Sequence, residues 1–374
     1  MRSFVSRFIA VTMLTMIVTS ACAAERTYPL WDGSESVADY AKRVILPPTK
    51  TLELGDGIKM ELVLIPAGTF KMGTPEPQLD EAEYYTKIVI AKWLLATGSG
   101  MLLVLVGTIL VRALRSRGRL KFSLARLVAM TATMAFAVMG ATQWRQSADD
   151  LKKAREDYQA SRVRCTVAAG DEKPAHLVTL SRPFYMGRFP VTQEQYQHVM
   201  DANPSSSVKG KDNPVENLLW DDAQEFCRRL SAETSTTIRL PTEAEWEFAC
   251  RAGSSTTYHS GDTEKDLYQV AWYLGNSGST THPVGQKEPN VFGLYDMHGN
   301  VWQWCQDWYS ADYYANSPIK DPENSNQTDR HVLRGGNWAF NPFHCRSAVR
   351  LSYPTSAHFD VVGFRVVSPL VSAE

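Results

Sequence analysis

The sequence lacks an excess of charge of either sign: 39 Lys and Arg stand against 40 Asp and Glu in 374 residues, a formal net charge of −1. Such a chain has no overall field to draw it onto nucleic acid, which excludes that class of partner. Histidines at metal-ligand spacing are also lacking. His282, His298, His331, His344 and His358 are scattered, with no HxH or HxxxH pattern, so no histidine-built metal centre is expected. Cysteine is scarce, and GGNWAFNPFHCRSAVR, residues 335–350, holds a single one, Cys345.

What is present begins with an export signal. Arg2 and Arg7 precede an apolar run, and the small residues Ala21, Cys22, Ala23 and Ala24 close it. Residues 1–24 therefore read as a secretory signal peptide. An uncleaved anchor is the alternative, and a lipoprotein cysteine at Cys22 is weaker because Thr19 stands where an aliphatic residue is expected. Each reading leaves the main domain extracytoplasmic, at the periplasm or cell surface. Disulfides are then permissible, and Cys165, Cys227, Cys250, Cys305 and Cys345 are candidates; their odd number leaves at least one unpaired.

Two apolar stretches interrupt the chain, at residues 93–111 and about 122–141. The first is long enough to span a bilayer, and the second reaches the required ~20 residues when Arg126 snorkels. Arg112, Arg115, Arg117, Arg119 and Lys121 lie between them without an acid, which places that loop in the cytoplasm. Both flanks then lie outside, in agreement with the signal peptide. Residues 146–164 are charged and rich in helix formers and read as an exposed stalk. The expected architecture is a discontinuous α+β domain, residues 50–78 and 171–370, interrupted by a membrane-inserted hairpin and stalk over 79–170. Loop closure cost grows slowly with length, so such an insertion is tolerable.

Local signals within the domain are clear. Leu62, Leu64 and Ile65 predict a strand before the Pro66-Ala67-Gly68 turn. Thr192 with Gln195 and Thr242 with Glu245 are capping boxes that start helices. Asp221 is expected to cap a third helix, and the Asp221-Asp222 pair reads as a helix start rather than as a general acid and base. Trp302, Trp304 and Trp308 are expected in the core.

Several long motifs then converge: IPAGTFKMG (65–73), DEKPAHLVTLSRPFYMGRFPVTQEQY (171–196), RLPTEAEWEFACRAG (239–253), NVFGLYDMHGNVWQWCQDWY (290–309), LRGGNWAFNPFHCRSAVR (333–350) and GFRVV (363–367). In this order they resemble the formylglycine-generating enzyme, or sulfatase-modifying factor, family. The resemblance implies an irregular C-type-lectin-like fold. In the oxidase members two cysteines five residues apart follow the GG of the last motif and bind copper(I), a soft ion suited to thiolates. Here Phe340 stands where the first would align, and the second has no counterpart, so copper is not expected. Cys345 matches instead the family's bridging cysteine, which implies a disulfide between Cys250 and Cys345. The oxidases' partner for Cys227 has no equivalent in GFRVV.

The resemblance also implies a structural calcium at Asp296, Gly299, Val301 and Gln303. Gln303 replaces a carboxylate, which weakens an oxygen-ligand site. The stretch that lines the oxidases' substrate groove here offers Trp338, Phe340 and Phe343 as an aromatic floor, with Asn337, Arg346 and Arg350 as polar contacts. The expected function is therefore a membrane-tethered binding domain for a protein, peptide or carbohydrate, with a sulfatase among the candidate partners, and without copper-dependent oxidation. Two alternatives stand beside it: a formylglycine-generating oxidoreductase using Cys345 or Cys305, and a purely structural surface protein.

Overall fold

The computed structural model describes residues 27–74 and 170–370. In the strand Ile58–Ile65 (β2), Met60, Leu62 and Leu64 enter one hydrophobic core while Val63 and Ile65 enter a second. The alternation is what the period-two geometry of a strand covered on both faces requires. β2 thus separates two cores.

β2 lies in an antiparallel sheet of order β1-β2-β5-β12, with β1 at Thr49–Gly55, β5 at Phe184–Gly187 and β12 at Val367–Pro369. A second sheet has the order β10-β9-β8-β11: Leu351–Pro354, Arg330–Arg334, Trp302–Trp308 and Val362–Phe364, the last pair parallel. β3 (Gly68–Met72) pairs with β4 (His176–Leu180), and short β6 (Ala271–Trp272) with β7 (His298–Gly299). Trp302 and Trp304 are fully buried, whereas Trp308 is half-buried.

The helices follow their local signals. α1 is Val37–Val44, α2 Gln193–Met200, α3 Trp220–Thr234 and α4 Glu243–Arg251. Both capping boxes form: the Gln195 amide donates to Thr192 Oγ1 at 3.2 Å, and that of Glu245 to Thr242 Oγ1 at 3.1 Å. α3 differs from expectation. It starts two residues earlier, at Trp220, and Asp222 rather than Asp221 closes its end by accepting the Leu219 amide at 3.0 Å.

The domain also begins before Lys50. Trp31 sits edge-on to Phe292 with centroids 5.0 Å apart, and buried Tyr40 donates to Pro29 O and accepts from the Ala67 amide. The chain divides into two units, residues 1–75 with 169–374, and residues 76–168. The second unit and the signal peptide lie outside the described residues, and with them the expected spans and stalk. Among the described residues no helix is long and apolar enough to cross a membrane. Where the chain leaves and re-enters the first unit, the Thr74 amide donates to Glu172 O at 3.1 Å.

Candidate functional site

Beyond β9 the chain turns through Gly335 and Gly336. Gly336 has φ 78°, and a Cβ there would stand 2.6 Å from Cys345 Sγ and 2.9 Å from His344 O, so only glycine fits. The turn folds residues 337–346 back over the second sheet. Asn341 caps a short 3₁₀ turn, Pro342–Cys345, by accepting the Phe343 amide. This brings Trp338, Phe340, Phe343 and His344 to the surface, each partly exposed.

The rings of Phe340, His344 and Phe343 form one run. The Phe340 edge meets buried Trp302 at 6.2 Å, His344 stacks on Phe340 at 4.9 Å and lies edge-on to Phe343 at 5.5 Å, and the Arg346 guanidinium covers Phe343 at 4.0 Å. Burial, with Arg346 beside it, holds the His344 imidazole below its usual range. Trp338 stands apart from these rings, its indole donating to Asp360 O at 3.3 Å, and the neighbouring exposed Phe359 packs on Tyr353 at 4.5 Å. On the other flank the exposed Leu274 donates its amide to Phe340 O. Phe359 and Leu274 had no place in the sequence reading, and His344 entered it only as one of the scattered histidines. The signal for His344 was its position between Phe343 and Cys345; the other two arrive from remote segments.

The polar residues expected to serve a ligand face inward instead. Arg350 is buried and spends its guanidinium on Glu243, at 2.7 and 3.0 Å, and on the carbonyls of Asp171 and Ser310. Arg346 is fixed to buried Glu172 by a fork of 2.9 and 2.8 Å bonds and donates to Phe343 O. Asn337 is fully buried; its Oδ1 accepts the Ala339 amide, and its Nδ2 has no hydrogen-bond partner among the described residues. These three shape the aromatic surface from below, and that corrects their expected role.

The cysteines are corrected as well. Cys227, Cys250, Cys305 and Cys345 are all free and buried, so the expected bridge between Cys250 and Cys345 is not formed. Cys345 Sγ packs against Gly336, whereas Cys250 Sγ faces His298 Nε2 at 3.7 Å. His298 Nδ1 donates to Cys345 O at 2.7 Å and its Nε2 accepts the His259 amide at 3.1 Å, which fixes a neutral imidazole protonated at Nδ1. Burial pushes the Cys250 and Cys345 thiols up to about 12 and raises Cys227 and Cys305 too. Thiols held protonated are poor nucleophiles and poor ligands for a soft cation. Neither Cys345 nor Cys305 fits the nucleophile role, and the set does not fit copper.

The loop implied to hold calcium is built differently from an oxygen cage. Asp296 is buried, and its carboxylate accepts the Gly285 amide at 2.8 Å and the Asn300 side chain at 3.4 Å. Gln303 turns its N–H, not its oxygen, to the loop: its Nε2 donates to Asp296 O at 2.9 Å, while its Oε1 accepts from Trp246 Nε1 at 2.8 Å and Arg365 Nε at 3.1 Å. Gly299 packs so closely under Trp272 O that a Cβ would stand 2.1 Å from it, and Val301 is buried. Among the described residues no three His, Cys, Asp or Glu side chains converge. These residues do not fit a calcium ion.

Comparison with known proteins bears on the whole chain. The sulfatase-modifying factor enzyme 1-like domain family matches residues 159–370. The chaperone protein LppX of Paenibacillus barcinonensis is 33% identical over 238 residues, 50% of this chain and 78% of that protein. The formylglycine-generating enzyme of Streptomyces coelicolor is 35% identical over 176 residues, 43% of this chain, and the chain spans 54% of that enzyme's length. Among solved structures, Treponema denticola variable protein 1 superposes with a TM-score of 0.57 at 22% identity, covering 87% of this chain and 100% of that one, a likeness of fold. The family match over more than half of the sequence, and a fold shared with a solved structure, place this chain in the sulfatase-modifying factor, or formylglycine-generating enzyme, family.

Proposed function

We propose that the chain is an extracytoplasmic recognition domain, tethered to the membrane by apolar spans at residues 93–111 and about 122–141 within the 79–170 insertion, that binds a protein segment on the surface built by Trp338, Phe340, Phe343 and His344 without copper-dependent oxidation. The observation that carries this reading is the inversion of the 335–350 stretch: its one thiol is buried and protonated, while its aromatic rings are at the surface. Aromatic side chains supply contact area with few rotors to freeze, which suits recognition. A protein partner agrees with a family named for modifying sulfatases and with a relative named as a chaperone. Membrane tethering rests on the signal peptide, the two apolar stretches and the basic loop between them, together with the meeting of Thr74 and Glu172 at the neck of the insertion.

Two experiments test it. A photoreactive phenylalanine placed at Phe340 in exported full-length protein is expected to cross-link a partner, and Trp338→Ala is expected to reduce the yield while the thermal midpoint holds. A cysteine-containing sulfatase peptide is expected to remain unoxidised; formylglycine formation that disappears in Cys345→Ser would refute the reading. For the tether, a reporter fused at Arg117 should report the cytoplasm.

A further inference from the structure

Gln303 holds one orientation. Trp246 Nε1 and Arg365 Nε both meet its Oε1, and an indole and a guanidinium can only donate. Turning the amide over would set an NH2 group against two donors. Its own N–H is therefore committed to Asp296 O, so the side chain presents a donor rather than an acceptor to the loop it joins to β8.

Arg365, fully buried in the turn between β11 and β12, performs that bridging from the other side. Its Nη2 donates to Tyr295 O at 2.6 Å, its Nη1 to Gly187 O, and its Nε to Gln303. One cation thus gathers oxygens from β5, from the residue preceding Asp296 and from β8, which is the task a calcium ion performs in an oxygen cage. Burial pulls the Arg365 guanidinium down to about 9, which leaves it protonated at neutral pH, and the nearby buried Asp296 acts against that loss of charge. A divalent ion would face a fixed guanidinium, a single carboxylate already held by the Gly285 amide, and an amide N–H where a second carboxylate is needed.

We propose that the guanidinium of Arg365 is the resident cation of this loop, with Gln303 as its adaptor, so that the domain is cross-linked by its own chain and folds independently of calcium. The replacement of an acid by Gln303 is then a compensated change rather than a weakened metal site. It also bears on where the domain can work, because its surface keeps its shape in calcium-poor surroundings.

Thermal unfolding of the full chain in chelator and in millimolar calcium, with magnesium as the control, tests this directly. The midpoints are expected to coincide. A calcium-specific rise of several degrees, as a ligand present far above its Kd must give, overturns the proposal. Gln303→Glu is the second variant: it sets a carboxylate oxygen against Asp296 O, so its midpoint is expected to fall in chelator and to recover in calcium. If Gln303→Glu instead melts with the wild type in both conditions, the amide does not close the loop and the proposal fails. Should that variant not fold, the wild-type comparison still decides.

Discussion

Arg334→Met tests whether the inward-facing arginines hold the aromatic surface in place. Arg334 is fully buried in β9; it donates to Glu243 at 3.2 Å, to Glu247, and to the carbonyls of Ser347 at 2.8 Å and Ala348 at 3.0 Å. Glu247 is itself buried and also accepts from Arg251 and the Gly73 amide. Burial alone would raise its carboxyl, but Arg251 and Arg334 outweigh it and hold the group below the usual range. Methionine fills much of the volume and leaves Glu247 a carboxylate short of one charge partner and two carbonyls without donors. Breaking a buried pair from one side costs ~3–5 kcal/mol. For a domain of this size that is a fall of roughly 6–20 °C in the thermal midpoint at ~2–4 °C per kcal/mol. Circular dichroism melts give the midpoint, and hydrogen exchange should show residues 345–350 loosening first, because Ser347 and Ala348 lose their anchor. Adding Glu247→Gln removes the stranded charge while keeping an acceptor for Gly73, so the double variant should regain ~1 kcal/mol or more relative to the sum of the singles. A single variant melting within about 2 °C of the wild type, or strict additivity, would refute the role assigned to the pair.

Three further outcomes follow from the same geometry. His331 is fully buried between the indoles of Trp220 and Trp308, at 3.7 and 3.8 Å, and burial pulls it down to about 4. The unfolded chain takes up its proton near 6.5 and the folded one does not, so this group leaves stability intact above that pH and removes ~1.4 kcal/mol per unit as pH falls towards 4. His331→Phe should flatten the curve of denaturant midpoint against pH by that slope, and an unchanged curve counts against it. Cys227, Cys250, Cys305 and Cys345 should resist alkylation in the native protein and all react after unfolding, read by mass spectrometry; a Cys250–Cys345 disulfide peptide would overturn the free-thiol arrangement. Gly336→Ala, which drives a methyl into Cys345 Sγ at a φ of 78°, should cost ~2–4 kcal/mol and expose the Cys345 thiol to alkylation.

The parts of this fold that were legible in the sequence are those decided within a few residues. The capping boxes at Thr192 and Thr242 and the strand signalled by Leu62, Leu64 and Ile65 depend on neighbours three or fewer positions away, and they form as read. Asp221 is not the cap because the helix already begins at Trp220, which puts Leu219 at the N-cap and Asp222 at the third helical position, where it accepts the Leu219 amide. Arg350 and Arg346 are expected as ligand contacts because their stretch matches the one that lines the substrate groove of the oxidases. Their partners Glu243 and Glu172 lie 107 and 174 residues away, beyond any local pattern. The same distance explains why the family resemblance speaks more firmly of fold than of function. Glu243 and Glu247 of RLPTEAEWEFACRAG, Arg334 of LRGG and Arg350 at the end of CRSAVR are one buried ion network, and Gln303 and Arg365 link two more motifs to each other. The motifs that carry the resemblance are thus largely a description of the interior. What distinguishes this chain faces outward within one of them, LRGGNWAFNPFHCRSAVR, where Trp338, Phe340, Phe343 and His344 are held up by that interior without being specified by it.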